Sequence, residues 1–181
     1  MSVTTTPRLL LSKPDATELI AISLLNNNMD AIDSDFRPAA KMKATSDQTL
    51  TNATVTVLGY NAVDYDSYAA RPEGAMVNLT TDLITIRKAG LYLVINKVAF
   101  APNATGVRRL DLNINGSFFE THAVGAYASA NNTLIMVSPL VLAVNDTLGG
   151  AAYQNSTASL AVVGTASQGV YLAAIWLGNI S

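Results

Sequence analysis

Cysteine is absent from the 181 residues. No disulfide framework, thiolate nucleophile or sulfur-ligated zinc site can form, and the redox compartment is left open. Charge is scarce as well: 13% of residues are Asp, Glu, Lys or Arg, and the formal net charge is −2. The eleven basic side chains are scattered, so the chain lacks the basic footprint of a nucleic-acid binder. Two local pairs, Arg87-Lys88 and Arg108-Arg109, read as solvated turn residues. His122 is the single histidine, and no Gly-x-Ser-x-Gly elbow accompanies it, which removes the usual hydrolytic triads. Glu120 precedes it by two residues and shares its strand face, but two ligands are too few for a zinc site. The pair reads as a surface or interface feature. Neither a cofactor nor a resident metal is expected.

Long apolar runs are missing too. None reaches the roughly 18 residues of a membrane span, so no membrane insertion is expected. The leucines at 9–11 are followed closely by Pro14 and lack the length of a secretory signal, so the N-terminus reads as mature sequence. Eight Asn-x-Ser/Thr triplets then reflect a composition rich in Asn and Thr rather than glycosylation. Gly149-Gly150 has no following Lys-Ser/Thr, so it reads as a bend or bulge between strands and not as a phosphate loop.

What is present is hydrophobic: half of all residues, in short segments. A monomer with so few charges has little polar material to cover its surface, and the composition leans towards association. From Asp15 to Asp33 the spacing predicts a helix, with Asp15 as cap and Glu18 three residues on. Leu19, Ile22, Leu25, Met29 and Ile32 form its packing stripe. Such a helix is marginal alone in water, so its stripe is expected against its own domain, copies of itself or a host assembly.

Beyond Phe36-Arg37-Pro38 the pattern alternates to the end, predicting two regions, an N-terminal extension over 1–35 and a β domain over 36–181. Ten strands are expected, at 40–44, 54–58, 83–87, 91–101, 108–114, 118–124, 133–144, 148–153, 160–163 and 170–177, with Asn115-Gly116 as a hairpin turn. The fold class is mainly β, an antiparallel jelly-roll sandwich with a short N-terminal α-helical segment. LYLVINKVAF and VYLAAIWL are apolar on both faces. The outer face of an antiparallel sandwich should be wet, so these strands predict cover by another subunit. Lys97 stands alone inside the first of them, as a buried ion-pair partner or a residue snorkelling to the rim. Asp64, Tyr65, Asp66 and Tyr68 form the most chemically suggestive cluster: a polar turn, or a receptor loop with carboxylates for Ca2+ and rings for a sugar.

TIRKAGLYLV, RRLDLNINGSFF, LVLAVNDTL and VYLAAIWLG together resemble the complement globular-head and tumour-necrosis-factor-like jelly roll, over about residues 38 to 181. The residues that carry the likeness are Ala89-Gly90-Leu91-Tyr92, Asn115-Gly116, Asn145-Asp146 and the strand from Tyr171 to Gly178. TPRLLLSKPDATELIAISLLNNNMDAID looks like the N-terminal segment of minor structural proteins of tailed bacteriophages, in which Lys-Pro-Asp leads into a helix with Leu-Asn-x-Asn and a closing Ile-Asp. DYDSYAARPEGAMVN resembles the loop that leads into their jelly roll. Asn28 departs from the acidic residue common there. The resemblance implies a homotrimer with Tyr171, Leu172, Ala174 and Trp176 at the subunit interface. It implies a non-enzymatic protein on the virion exterior, a tail appendage or capsid fibre, held to other virion proteins by its N-terminal segment and contacting a host cell-surface glycan. A capsid decoration protein without ligand and a carbohydrate-active enzyme are the alternatives.

Overall fold

A computed structural model describes residues 36–164 and 169–180, together with Thr4–Thr5, Ser12–Lys13 and Asn28. The chain divides into two compact units, Met1–Arg37 and Pro38–Ser181. In the first, β1 (Thr4–Thr5) pairs antiparallel with β2 (Ser12–Lys13). The helix expected over 15–33 and its stripe, Leu19, Ile22, Leu25, Met29 and Ile32, lie outside the described residues; Asn28 alone among them is described, as helical.

The second unit is all β among its described residues. Its strands are β3 (Ala39–Lys43), β4 (Gln48–Leu50), β5 (Thr56–Val57), β6 (Ala62–Asp66), β7 (Val77–Asn78), β8 (Leu83–Thr85), β9 (Gly90–Phe100), β10 (Asn103–Ile114), β11 (Ser117–Tyr127), β12 (Asn132–Leu142), β13 (Thr147–Gln154), β14 (Leu160–Val162) and β15 (Tyr171–Gly178). They form two antiparallel sheets. One runs β11-β10-β13-β8-β7, with β5 also on β13; the other runs β4-β14-β9-β15-β3-β6, with β12 on the remaining edge of β9. All ten expected strands are present. Expectation missed β4 and β7, which are three and two residues long, and β6, whose charged sequence AVDYD reads as a loop.

The core lies between the sheets and follows from period-two alternation. On β9 the buried residues Tyr92, Val94, Asn96 and Val98 alternate with half-buried Leu91, Leu93, Ile95 and Lys97. Leu172, Ala174 and Trp176 of β15, Met42 of β3, and Leu134 and Met136 of β12 are buried likewise. Leu110 and Leu112 of β10 and Leu148 and Ala152 of β13 are their counterparts on the second sheet. The sheets are tied across the core by Asn96, whose Nδ2 donates to the Asp111 carbonyl at 3.1 Å.

Charge inside this core is handled locally. Arg108, expected in a solvated turn, has no exposed surface, and its guanidinium donates to the carbonyls of Thr105, Val107 and Asn103 at 3.0 to 3.2 Å. Burial lowers its pKa. Arg109 instead pairs with the buried Asp111 carboxylate at 2.9 Å, which also accepts from Thr121 at 2.7 Å. Each buried charge is met by fixed partners, as desolvation demands.

Two turns brace one another. Asn115 and Gly116, with φ of 53° and 77°, close the expected hairpin between β10 and β11. The Asn115 amide donates to Asp146 at 2.8 Å and its carbonyl accepts from Thr147 N–H at 2.9 Å, so the hairpin is fastened to the Asn145-Asp146 turn. Two glycines are explained by close approach. Gly90, at φ 150°, leaves room for Trp176: a Cβ there would lie 2.3 Å from the indole nitrogen. Gly149-Gly150 makes no bend, contrary to expectation; both sit in regular register within β13, opposite Asn113 and Leu112. A Cβ on Gly150 would meet Tyr60 Oη at 2.4 Å. Gly90→Ala and Gly150→Ala should therefore each lower stability by about 1–3 kcal/mol through overpacking, read as a drop in denaturant midpoint at unchanged slope.

Candidate functional site

The outward side of the β9 sheet is where this chain departs from an ordinary sandwich. Register aligns its residues in rows: Val137, Ile95 and Ala173; then Pro139, Leu93 and Ile175; then Val141 and Leu91, with Leu177 following on β15. Val141 is 69% exposed, Val137 55% and Leu177 50%. A sheet face facing water normally carries polar residues at these positions. Here it is a continuous apolar surface.

At one end the surface becomes cationic. Tyr171 stands opposite Lys97 on one side and Lys43 on the other, and Ala173 stands opposite Lys41. Lys41 Nζ lies 4.5 Å from the Tyr171 ring centroid and Lys97 Nζ 5.5 Å, within cation–π range. Between Lys41↔Tyr65 and Met42↔Val63 the register slips, leaving Asp64 as the extra residue of a β-bulge. A bulge re-aims a side chain, and this one delivers the Asp64 carboxylate to Lys41 Nζ at 2.8 Å and to Lys43 Nζ. Hydrogen bonds from Lys41 and then Lys43 hold the Asp64 pKa below its ordinary value.

The structure redistributes the residues expected to act. Tyr171 faces outward, but Leu172, Ala174 and Trp176 face inward and are covered by their own subunit, Trp176 being 8% exposed with its Nε1 donating to the Ala89 carbonyl at 3.2 Å. Neighbours on a strand point to opposite faces, so Tyr171, Ile175 and Leu177 are on the outward side. Of the expected receptor loop, Asp64 and Tyr65 belong to the edge strand β6. Asp66 accepts from the Tyr68 and Val77 amides at 2.9 and 2.8 Å, and Tyr68 is buried. Asp66 and Tyr68 are thus structural, and the lysines beside Asp64 displace the Ca2+ reading. Among the described residues no group of three or more His, Asp or Glu is placed to hold a metal.

The lysine cluster was missed. Its one signal is AAKMK, where alternation puts Lys41 and Lys43 on one face and Met42 on the other; the pairing with Lys97 is long-range. Arg87 donates to the Ala75 carbonyl at 2.8 Å, and Lys88 Nζ lies 4.2 Å over the Trp176 ring, so both members of that basic pair serve the fold. His122 is exposed on β11, and Glu120 accepts from Ser138 Oγ.

No protein-family model matches this chain, and no curated protein matches it in sequence. Its fold is shared with solved structures. Eiger TNF from S. frugiperda superposes with a TM-score of 0.62 at 11% identity, covering 80% of this chain and 95% of that one. Murine APRIL gives 0.54 at 14% identity over 78% and 100% of the two chains. The globular domain of zebrafish complement 1qA gives 0.54 at 11% over 79% and 99%. The second unit is therefore a jelly roll of the TNF and complement C1q type.

Two outcomes check the assignment of faces. Trp176→Asp should abolish soluble, folded protein, because it buries an unpaired carboxylate, whereas Leu177→Asp should retain the wild-type circular dichroism spectrum. Asp64→Asn should cost under about 1 kcal/mol at pH 7, as expected of a surface ion pair. Because the folded pKa of Asp64 is depressed, its contribution is complete above the ordinary carboxylate range of about 4. It is lost as pH falls through the folded value, so the wild-type and Asn unfolding curves should converge in acid.

Proposed function

We propose that this protein is a non-enzymatic homotrimeric display module, with the jelly roll over 36–181 as the trimer and residues 1–35 as the attachment segment. The observation that carries the trimer is the apolar outward face of β9, β12 and β15, which no described segment of the second unit covers. Exposed Phe118 and Phe119 lie at one end of the edge strand β11 and exposed Tyr127 at the other. A heterologous contact joins two different patches of the same chain and closes into a ring when the rotation suits. A second copy of the chain is therefore the occupant of the face. The resemblance to complement and TNF-like jelly rolls supports three as the number.

The finer reading places this trimer on the exterior of a tailed-phage virion, as a tail appendage or capsid fibre. Its support is the likeness of the N-terminal segment, KPDATELIAISLLNNNMDAID, to phage minor structural proteins. Function would then be binding: three rigidly displayed copies convert weak contacts with a host cell-surface glycan into avidity.

Light scattering on the purified chain tests the central point. The expected mass is three times the 19.0 kDa of one chain, and Val137→Asp should reduce it to a single folded subunit. A wild-type protein of single-chain mass at micromolar concentration would refute the trimer. Immunolabelling of intact particles tests the virion reading, with label expected on the exterior.

A further inference from the structure

The cavity of about 480 Å3 beside Tyr171, lined by Lys41, Lys43, Lys97 and Asp64, has its cations engaged with the Asp64 carboxylate and the Tyr171 ring. A second cavity, of about 290 Å3, differs, because two of the polar side chains that line it are fixed at one end and unpartnered at the other. We propose that it is a subsite for one neutral sugar ring, with Asp82 and Asn61 taking a pair of adjacent hydroxyls. It lies between β4, the segment 58–61 that precedes β6, and the turn 79–82 that precedes β8.

Asp82 Oδ1 accepts from the Tyr60 N–H at 2.6 Å. Its backbone holds a φ of 57°, in the left-handed region that few residues other than glycine adopt, and this conformation sets the direction of the carboxylate. The second carboxylate oxygen, Oδ2, has no partner among the described residues. Asn61 is arranged in the opposite sense. Its Oδ1 accepts from Thr45 N–H at 2.8 Å and from Thr45 Oγ1 at 3.0 Å. A backbone N–H can only donate, so the atom that faces Thr45 is the oxygen, and the amide NH2 is the end left over, again without a partner among the described residues. The rest of the lining is braced. Both ends of the Gln48 amide clasp Gly59, Nε2 donating to its carbonyl at 2.7 Å and Oε1 accepting from its N–H at 2.9 Å. Leu79, 38% exposed, sits on a turn fastened by Asn78 Oδ1, which accepts from the amides of Thr80 and Thr81 at 2.9 and 3.3 Å.

A fixed acceptor and a fixed donor in one small cavity suit a ligand whose neighbouring groups both give and take a hydrogen bond. A vicinal diol does this: one hydroxyl donates to the Asp82 carboxylate and the next accepts from the Asn61 amide. The bond to the carboxylate is the stronger kind, so Asp82 anchors the ligand and Asn61 orients it. Leu79 gives the C–H face of a sugar ring an apolar wall. Among the described lining residues there is no cation to receive an anionic ligand, and one carboxylate is too few for a calcium ion. Small-molecule sites span roughly 300–1,000 Å3, so this cavity fits one ring and not a chain of them. The inference deepens the glycan reading above and rests on it for the source of the sugar; the subsite itself is complete within one subunit.

The test is saturation-transfer NMR and calorimetric titration of the full chain with the methyl glycosides of glucose, galactose, mannose and N-acetylglucosamine, and with tetrahydropyran and methylammonium as controls. At least one glycoside is expected to bind, and neither control. Asp82→Asn keeps an acceptor for Tyr60 N–H but turns the free oxygen into a donor, and should weaken binding at least about ten-fold, the worth of a hydrogen bond to a charged group. Asn61→Asp keeps the acceptor for Thr45 and turns the free donor into an acceptor, with an expected loss of about three- to ten-fold. Gly59→Ala adds a methyl group to the lining, where its nearest neighbour is Gln48 Oε1 at 3.5 Å, so the fold should be kept while binding falls. That variant carries the test should either of the others fail to fold. The proposal is overturned if no glycoside binds at roughly 10 mM, if the folded variants bind as wild type does, or if tetrahydropyran or methylammonium binds as tightly as the best glycoside. A chain that binds a glycoside but no host cell refutes only the host reading, and cell binding without glycoside binding refutes only this subsite.

Discussion

Strand β9 is the member on which the rest of the structure depends, because it has apolar side chains on both of its faces and hydrogen-bonded neighbours on both of its edges. Its even-numbered residues close the core against β10 and its odd-numbered residues leave the sandwich. β12 takes one edge along its full length, and β15 takes most of the other. Everything that distinguishes the molecule is fixed by this placement. Gly90 starts the strand where the Trp176 ring needs space, Asn96 stitches the sheets together, and Lys97 ends the outward row beside Tyr171. A one-residue slip would exchange the core and outward sets, putting Lys97 among Leu110 and Leu112, and that penalty specifies the register.

Several of the few charges among the described residues have specific partners. Arg108 is held by three carbonyls, Arg109 joins Asp111, and Asp64 joins Lys41 and Lys43. Asp66 and Asp146 satisfy amides of their own turns, the latter by accepting from Ala143 N–H at 2.7 Å. Stability rests on packing and on these local bonds, with no covalent cross-link available to a chain without cysteine.

The jelly roll was legible because its strongest signals are local. Period-two alternation located ten of the thirteen strands described in the second unit, and Asn115-Gly116 announced its hairpin through the need for positive φ at both positions. What alternation does not state is which parity faces the core. In β15 both parities are apolar, so the expected interface mixed outward Tyr171 with Leu172, Ala174 and Trp176, which are buried, while Ile175 and Leu177 share the outward side with Tyr171. The glycine that makes room for Trp176 lies 86 residues earlier in the chain, and no local pattern connects the two. The lysine cavity was hidden for the same reason: its members come from four strands, β3, β6, β9 and β15. Arg108 was misread because adjacent cations look alike in sequence, although β10 sends Arg108 inward and Arg109 outward. The edge strand β6 looked like a loop because its polarity, DYD, is that of a strand whose outer edge stays in water.

Antiparallel pairing of β3 with β15 gives the second unit a direction. Ala39 lies opposite Ile175, and Trp176 N–H donates to the Pro38 carbonyl at 2.8 Å, so the polypeptide enters this unit beside the place where its last strand finishes. The lysine cavity is at the other end of the same two strands, by Lys43 and Tyr171. The module is thus polar in the geometric sense, with a root where the backbone arrives and a crown where the cations gather. Mechanical load applied through residue 38 would fall first on the ladder joining β3 to β15 and its junction with β6, far from the crown.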